Sequence, residues 1–159
     1  IVPPVIKMIK KEGYEVEIIQ QCIMSQRNSI EDYYKKNNIK NYIFEFEKDV
    51  LKLISSSNLV ITRSGASTTA ELTQTLTPFI AVPLPDSIDN HQYLNAKYYE
   101  TRGCCLLLEQ RNFNTNNLFN LIMQTIKNKN KLENIKKNME KNCNNNVYEN
   151  IEYEITKII

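Results

Sequence analysis

Arg63, Ser64 and Gly65, followed by Ala66, Ser67, Thr68, Thr69, Ala70 and Glu71, bring the parts of an anion site together within nine residues. A glycine among small side chains leaves backbone N–H groups bare, and a helix beginning here aims those groups, with the positive end of its dipole, at a phosphate. Glycine is scarce, with only three in 159 residues, so Gly65 predicts a tight turn where the backbone comes close to something. Glu71 falls about one turn into such a helix. Its carboxylate would repel a phosphate, but it can accept two hydrogen bonds from a vicinal diol such as a ribose. Phosphate and diol together make a nucleotide. The competing reading is that Ser64, Ser67, Thr68 and Thr69 merely cap a helix, with Glu71 a first-turn acid favoured by the dipole.

A second constellation lies in PLPDSIDNHQYLNA, where Asp89, His91, Gln92 and Asn95 open another helix. His91 and Asn95 are four apart and share a face, and amide side chains that donate and accept suit sugar hydroxyls. His91 has the chemistry of a general base. It stands without a partner carboxylate or nucleophile in a recognisable pattern, so no catalytic role is assigned to it.

These segments need elements to position them, and the chain supplies strand-length apolar runs alternating with helical patterns. Strands are expected at 16–20, 41–46, 58–62, 78–84 and 104–108. Helices are expected after Pro3 and Pro4, at 29–37 with Ser29 as N-cap, after Asp49, from about Thr68 to Thr75, from about His91 to Thr101, and from Asn114 or Thr115 to about Lys127. Two lysine- and asparagine-rich helices, split at NCNNN, complete the chain over 129–159, with Leu132, Ile135 and Met139, then Val147, Ile151 and Ile155, as a packing stripe. Repeated β-α alternation predicts an α/β domain, a Rossmann-like parallel sheet with helices on both faces and right-handed crossovers. Ligands of such sheets sit beyond the carboxyl ends of the strands, where both constellations fall.

Composition narrows the function classes. Twenty basic and 18 acidic side chains, net +2, are mixed along the chain, without the basic stripe that neutralises nucleic-acid phosphates. Nucleic acid is therefore excluded as the expected partner. No apolar run approaches the roughly 20 residues that span a bilayer, and the start lacks the charged region of a signal peptide, which reads as cytoplasmic. Cys22, Cys104, Cys105 and Cys143 lack the paired spacing of zinc ligands and read as buried thiols.

ITRSGASTTAEL, then TPFIAVPLP, DNHQYLNA and a strand ending in LLLEQ, together with the earlier IIQQC and FEKDVLKLISSSNLV, resemble the C-terminal donor-binding domain of the MurG family. These are GT-B-class transferases that add N-acetylglucosamine to lipid I to make lipid II. The resemblance covers nearly the whole chain and implies residue roles. The backbone from Ala66 to Ala70 lies against the diphosphate of UDP-N-acetylglucosamine, and Glu71 holds the uridine ribose. Phe46 and Glu47 meet the uracil edge, Arg63 supports the turn or the phosphates, and His91 and Gln92 bind the sugar. It implies an inverting transfer with no metal and no cofactor. It also implies a preceding strand, a loop similar to GGSQGA, and a further domain that holds the lipid-linked acceptor, the catalytic groups and the contact with the inner face of the membrane. The 159 residues then form the C-terminal half of a GT-B fold without its first strand, leaving two central strands unpaired. A nucleotide-sugar-binding subunit of a split transferase, and a non-enzymatic α/β interaction domain, are the alternatives.

Overall fold

The structure is a computed structural model that describes residues 1–143, and the stripe of Val147, Ile151 and Ile155 lies outside the described residues. Five short strands alternate with helices: α1 Val2–Lys11, β1 Glu17–Gln21, α2 Met24–Lys36, β2 Lys40–Phe44, α3 Val50–Ser55, β3 Val60–Thr62, α4 Ala66–Gln74, β4 Phe79–Ala81, α5 His91–Thr101, β5 Leu106–Leu107, α6 Thr115–Lys127 and α7 Lys131–Cys143. All pairings are parallel, as expected. The strands form two pieces, β1-β2 and β3-β4-β5, with Glu17 opposite Lys40, Val60 opposite Phe79 and Ile80 opposite Leu106.

The central strand β4 shows why the chain folds in three layers. Side chains alternate across a strand, and β4 divides its residues between two cores. Ile80, with Val82 just beyond, packs among Val5, Ile6, Ile9, Tyr34, Leu118 and Ile122 of α1, α2 and α6. Phe79 and Ala81 pack among Ile54, Leu72, Ala96, Ile135 and Met139 of α3, α4, α5 and α7. Burying each of the larger side chains contributes about 1.5–3 kcal/mol. Ile135 and Met139 are thus the packing face expected of them, and Cys104 and Cys105 are buried in the second core.

Helix ends depend on a left-handed residue. Gly103 (φ +68°) follows α5, with its amide bonded to Glu100 O and that of Cys104 to Tyr99 O, and Asn38 and Leu76 occupy the same position after α2 and α4. Two expectations need correction. Helix α2 begins at Met24, five residues before Ser29, and its N-cap is Ile23, in extended backbone and without a side-chain bond; Ser29 therefore lies inside the helix, where its hydroxyl has no cap to make. The strands expected at 78–84 and 104–108 shrink to Phe79–Ala81 and Leu106–Leu107, because Pro83 lacks a ladder donor and Cys104 is drawn into the turn that ends α5.

Candidate functional site

The turn Arg63-Ser64-Gly65 leaves β3 and enters α4. Gly65 is the N-cap, with φ −64° and ψ 148°, and no side chain caps the helix. The carbonyl of Gly65 accepts from Thr69 N at 3.0 Å. The helix therefore starts at Ala66, two residues earlier than expected, and its unmatched amides are those of Ala66, Ser67 and Thr68. The amides of Thr69 and Ala70 are used within the helix. Thr69 Oγ1 donates to the carbonyls of Gly65 and Ala66, so its hydroxyl faces its own helix. Ser67 is exposed and Thr68 half-buried.

Gly65 departs from the expected tight turn. Gly13 and Gly103 have positive φ, whereas the φ of Gly65 is open to any residue. A Cβ built on Gly65 meets nothing within 4 Å. Glycine here serves neither a strained backbone nor crowded packing inside the chain; it leaves the backbone face beside the three amides bare. Glu71 is the sixth residue of α4 and the first turn contains no acid, which removes the first-turn reading. Among the described residues its half-buried carboxylate has no hydrogen-bond partner.

The second constellation is bound to the first. Ser64 Oγ donates to Gln92 O at 2.7 Å, and Asn95 Nδ2 donates to Ser64 O at 3.1 Å. Ser64 is 0% exposed, so its hydroxyl is spent on α5 and cannot reach a ligand; Ser64 and Asn95 position the turn. Gln92 Oε1 accepts from Leu84 N and the Gln92 backbone N–H donates to Ser87 Oγ, which fixes the loop after β4. Asp89 and Asn90 adopt left-handed φ of 48° and 55° just before α5. His91, exposed at the start of α5, places Nδ1 2.7 Å from Ile88 O. A carbonyl only accepts, so Nδ1 carries a proton and Nε2 is the atom that faces solvent.

Arg63 points away from the amides. Its Nη1 donates to Val82 O at 3.0 Å, Pro83 O at 3.4 Å and Gln110 Oε1 at 2.7 Å, tying the ends of β3, β4 and β5 together. Beside this tie a groove of about 270 Å³ is lined by Pro83, Leu84, Tyr93, Glu109, Gln110 and Arg111. Tyr93, Glu109, Gln110 and Arg111 were not expected at the site. The signal for the last three was their place directly after LLL, at the carboxyl end of a strand.

After β2, Phe46 is 77% exposed, a flat apolar ring on the surface. Glu47 beside it is held: Oε1 accepts from Asp49 N and Oε2 from Tyr42 OH. These bonds, the backbone one first, hold its carboxyl below the usual range, and the same glutamate pushes the Tyr42 hydroxyl up. Phe46, the Arg63 turn, the Leu84 loop and Gln110 thus each follow the carboxyl end of a strand.

A parallel sheet covered on both faces, with an uncapped helix N-terminus beyond a strand, is the architecture of one half of a GT-B glycosyltransferase. A crystal structure of Acinetobacter baumannii MurG superposes with a TM-score of 0.76 at 25% identity, covering 89% of this chain and 40% of that one. The chain matches the glycosyltransferase family 28 C-terminal domain over residues 1–152 and belongs to that family. Relatives named as UDP-N-acetylglucosamine–N-acetylmuramyl-(pentapeptide) pyrophosphoryl-undecaprenol N-acetylglucosamine transferases include one from Pelagibacter ubique, 37% identical over 148 residues, and one from Rickettsia prowazekii, 39% identical over 135. They cover 93% and 84% of this chain, which spans only 42% and 35% of their length. Among the described residues no helix is long and apolar enough to cross a membrane.

Proposed function

We propose that this chain is the donor-binding part of an inverting hexosyltransferase that moves N-acetylglucosamine from UDP-N-acetylglucosamine to an undecaprenyl-linked muramyl-peptide in peptidoglycan synthesis. The observation that carries the reading is the bare start of α4. Three unmatched amides lie beside a glycine that no backbone or packing demand explains, with an unpartnered carboxylate one turn further on.

In this reading the amides of Ala66, Ser67 and Thr68 meet the diphosphate, and the dipole of α4 stabilises the charge that develops on departing UDP. The small side chains of Ser67 and Ala70 leave that approach open. Glu71 accepts from the ribose diol, Phe46 stacks on uracil, and Glu47, already fixed by Tyr42 and Asp49, offers its remaining acceptor capacity to the base edge. His91 and the free amide nitrogen of Gln92 face the sugar. Arg63, Ser64 and Asn95 hold these groups in place. The acceptor, the catalytic groups and any contact with the inner face of the membrane belong to parts outside these residues, and the chain itself works in the cytoplasm.

Calorimetric titration of the chain with UDP and uridine tests this. UDP should bind at least about tenfold more tightly than uridine, because only UDP carries the charge that the amides and dipole attract. Equal affinity for UDP and uridine would contradict the assignment of α4 to the diphosphate.

A further inference from the structure

Helix α5 has a second apolar face. A helix that covers a sheet needs only one, and α5 supplies it with Ala96, fully buried, and Tyr99, whose ring meets Phe79 edge-on at 6.0 Å in the second core. At 3.6 residues per turn, Leu94, Tyr98 and Thr101 fall on the opposite side, with His91 at its edge. Leu94 is 60% exposed and Tyr98 48%. Ile88, one turn ahead of His91 and bonded to its ring through the backbone carbonyl, is 80% exposed. Single exposed apolar side chains are ordinary, whereas a row of them along one helix and its approach marks a contact surface.

The centre of this face is held in place before anything binds. The guanidinium of Arg102 lies 3.6 Å over the Tyr98 ring, and its Nη1 donates to Tyr98 O at 3.0 Å. The Tyr98 ring in turn meets Tyr99 edge-on at 5.1 Å, and Tyr99 is anchored on Phe79. Tyrosine and arginine are the usual anchors of protein interfaces, and side chains already fixed lose little freedom on binding.

Charge along the face says what fits it. Asp86 and Asp89 stand at its amino end and Arg102 at its carboxyl end; all three are exposed, and none forms an ion pair among the described residues. The other charges nearby are already matched, Lys97 to Glu100 at 2.8 Å and Arg111 to Glu109 at 3.1 Å. A surface that is acidic at one end and basic at the other is complementary to itself turned end for end, which is what a two-fold contact requires. Two α5 helices packed antiparallel, centred between Leu94 and Tyr98, set each Leu94 against Tyr98 of the second copy and each Arg102 beside the acidic end of the other helix.

We infer that the exposed face of α5 is a docking surface for a second copy of this chain, with Leu94 and Tyr98 at its centre and Arg102 matched to Asp86 and Asp89 at both ends. The pairing does not depend on the donor reading.

Sedimentation equilibrium of the 159-residue chain, without nucleotide, tests this. The average mass should rise from monomer toward dimer over about 1–200 µM. Leu94→Lys, at an exposed helical position, should weaken association by about tenfold or more at an unchanged melting temperature. Charge gives a test that does not rely on that variant. Arg102→Glu sets acid against acid, and the double variant Asp86→Lys/Asp89→Asn sets base against base, so each alone should associate about tenfold more weakly than the wild type. Mixed in equal amounts, the two should recover association to within about threefold of the wild type, because every end-to-end contact between the two variants is again between opposite charges. A wild type that stays monomeric throughout this range overturns the proposal. So does a dimer that none of these substitutions weakens, which would place the contact on another surface, or a mixture that associates no better than either variant alone.

Discussion

Replacing Gly65 with alanine separates a ligand-facing glycine from a structural one. Its φ of −64° and ψ of 148° suit alanine, and the added methyl meets no atom within 4 Å. Alanine lowers the entropy of the unfolded chain, a gain of about 0.4–1 kcal/mol. It is also a poorer N-cap than glycine, a loss of roughly 0.5–1 kcal/mol. The two offset each other, so the melting temperature should move by less than about 2 °C. A diphosphate drawn against the amides of Ala66, Ser67 and Thr68 would meet the methyl, and overpacking of this kind costs about 1–3 kcal/mol, or roughly 5- to 150-fold in affinity. Titration with UDP, alongside a melting curve for the same protein, gives both numbers. Wild-type UDP affinity in a folded Gly65→Ala protein would refute the close approach. A fall of more than about 5 °C in melting temperature would show that the glycine serves the fold.

Arg63→Met removes three hydrogen bonds to Val82, Pro83 and Gln110; it should cost about 1–2 kcal/mol of stability, a drop of roughly 3–6 °C in melting temperature, with faster amide exchange around Leu84. UDP affinity should fall less than tenfold, as expected of a residue that positions others; a larger loss without a change in melting would place Arg63 on the phosphates. The Glu47 carboxyl should titrate below the ordinary glutamate range by NMR, and Tyr42→Phe should move its midpoint upward by removing one of the two bonds. Because the folded value is lowered, the contribution of these bonds to stability is present above the unfolded glutamate pKa and is lost as pH falls through the folded one. An unmoved midpoint in Tyr42→Phe would contradict the assignment.

The alternation of apolar runs and helical patterns was enough to read the parallel α/β architecture, since both signals are local and strong. NLVIT and PFIAV read as strands because buried parallel strands are apolar throughout. Strand ends were less legible: Pro83 and the turn at Gly103 shortened two strands, and both effects depend on contacts distant in sequence. The start of α2 is not legible because Ser29 resembles a cap, while the true N-cap, Ile23, makes no side-chain bond for a pattern to reveal. At the site, the small-residue turn and Glu71 were visible as types and spacing. That Ser64 and Asn95 bind each other across 31 residues, and that Arg63 reaches Gln110 across 47, was not, because pairings at that range are set by the fold. The same tertiary contacts tie the side chains of Arg63, Ser64 and Asn95 to neighbouring elements.

The central claim is that α4 binds a uridine nucleotide through its bare N-terminus and Glu71, and titration of wild type and Glu71→Ala with UDP and 2′-deoxy-UDP tests it most directly. Glu71 lies in the second turn with no partner among the described residues, and alanine is the better helix former, so folding should change by less than about 0.5 kcal/mol. The wild type should prefer UDP to the deoxy analogue. The variant should lose charge-assisted hydrogen bonds worth about 1.5–3 kcal/mol, roughly 10- to 150-fold in UDP affinity, and with them most of that preference. A folded Glu71→Ala protein that binds UDP as tightly as the wild type, and still discriminates against the deoxy analogue, would contradict the account.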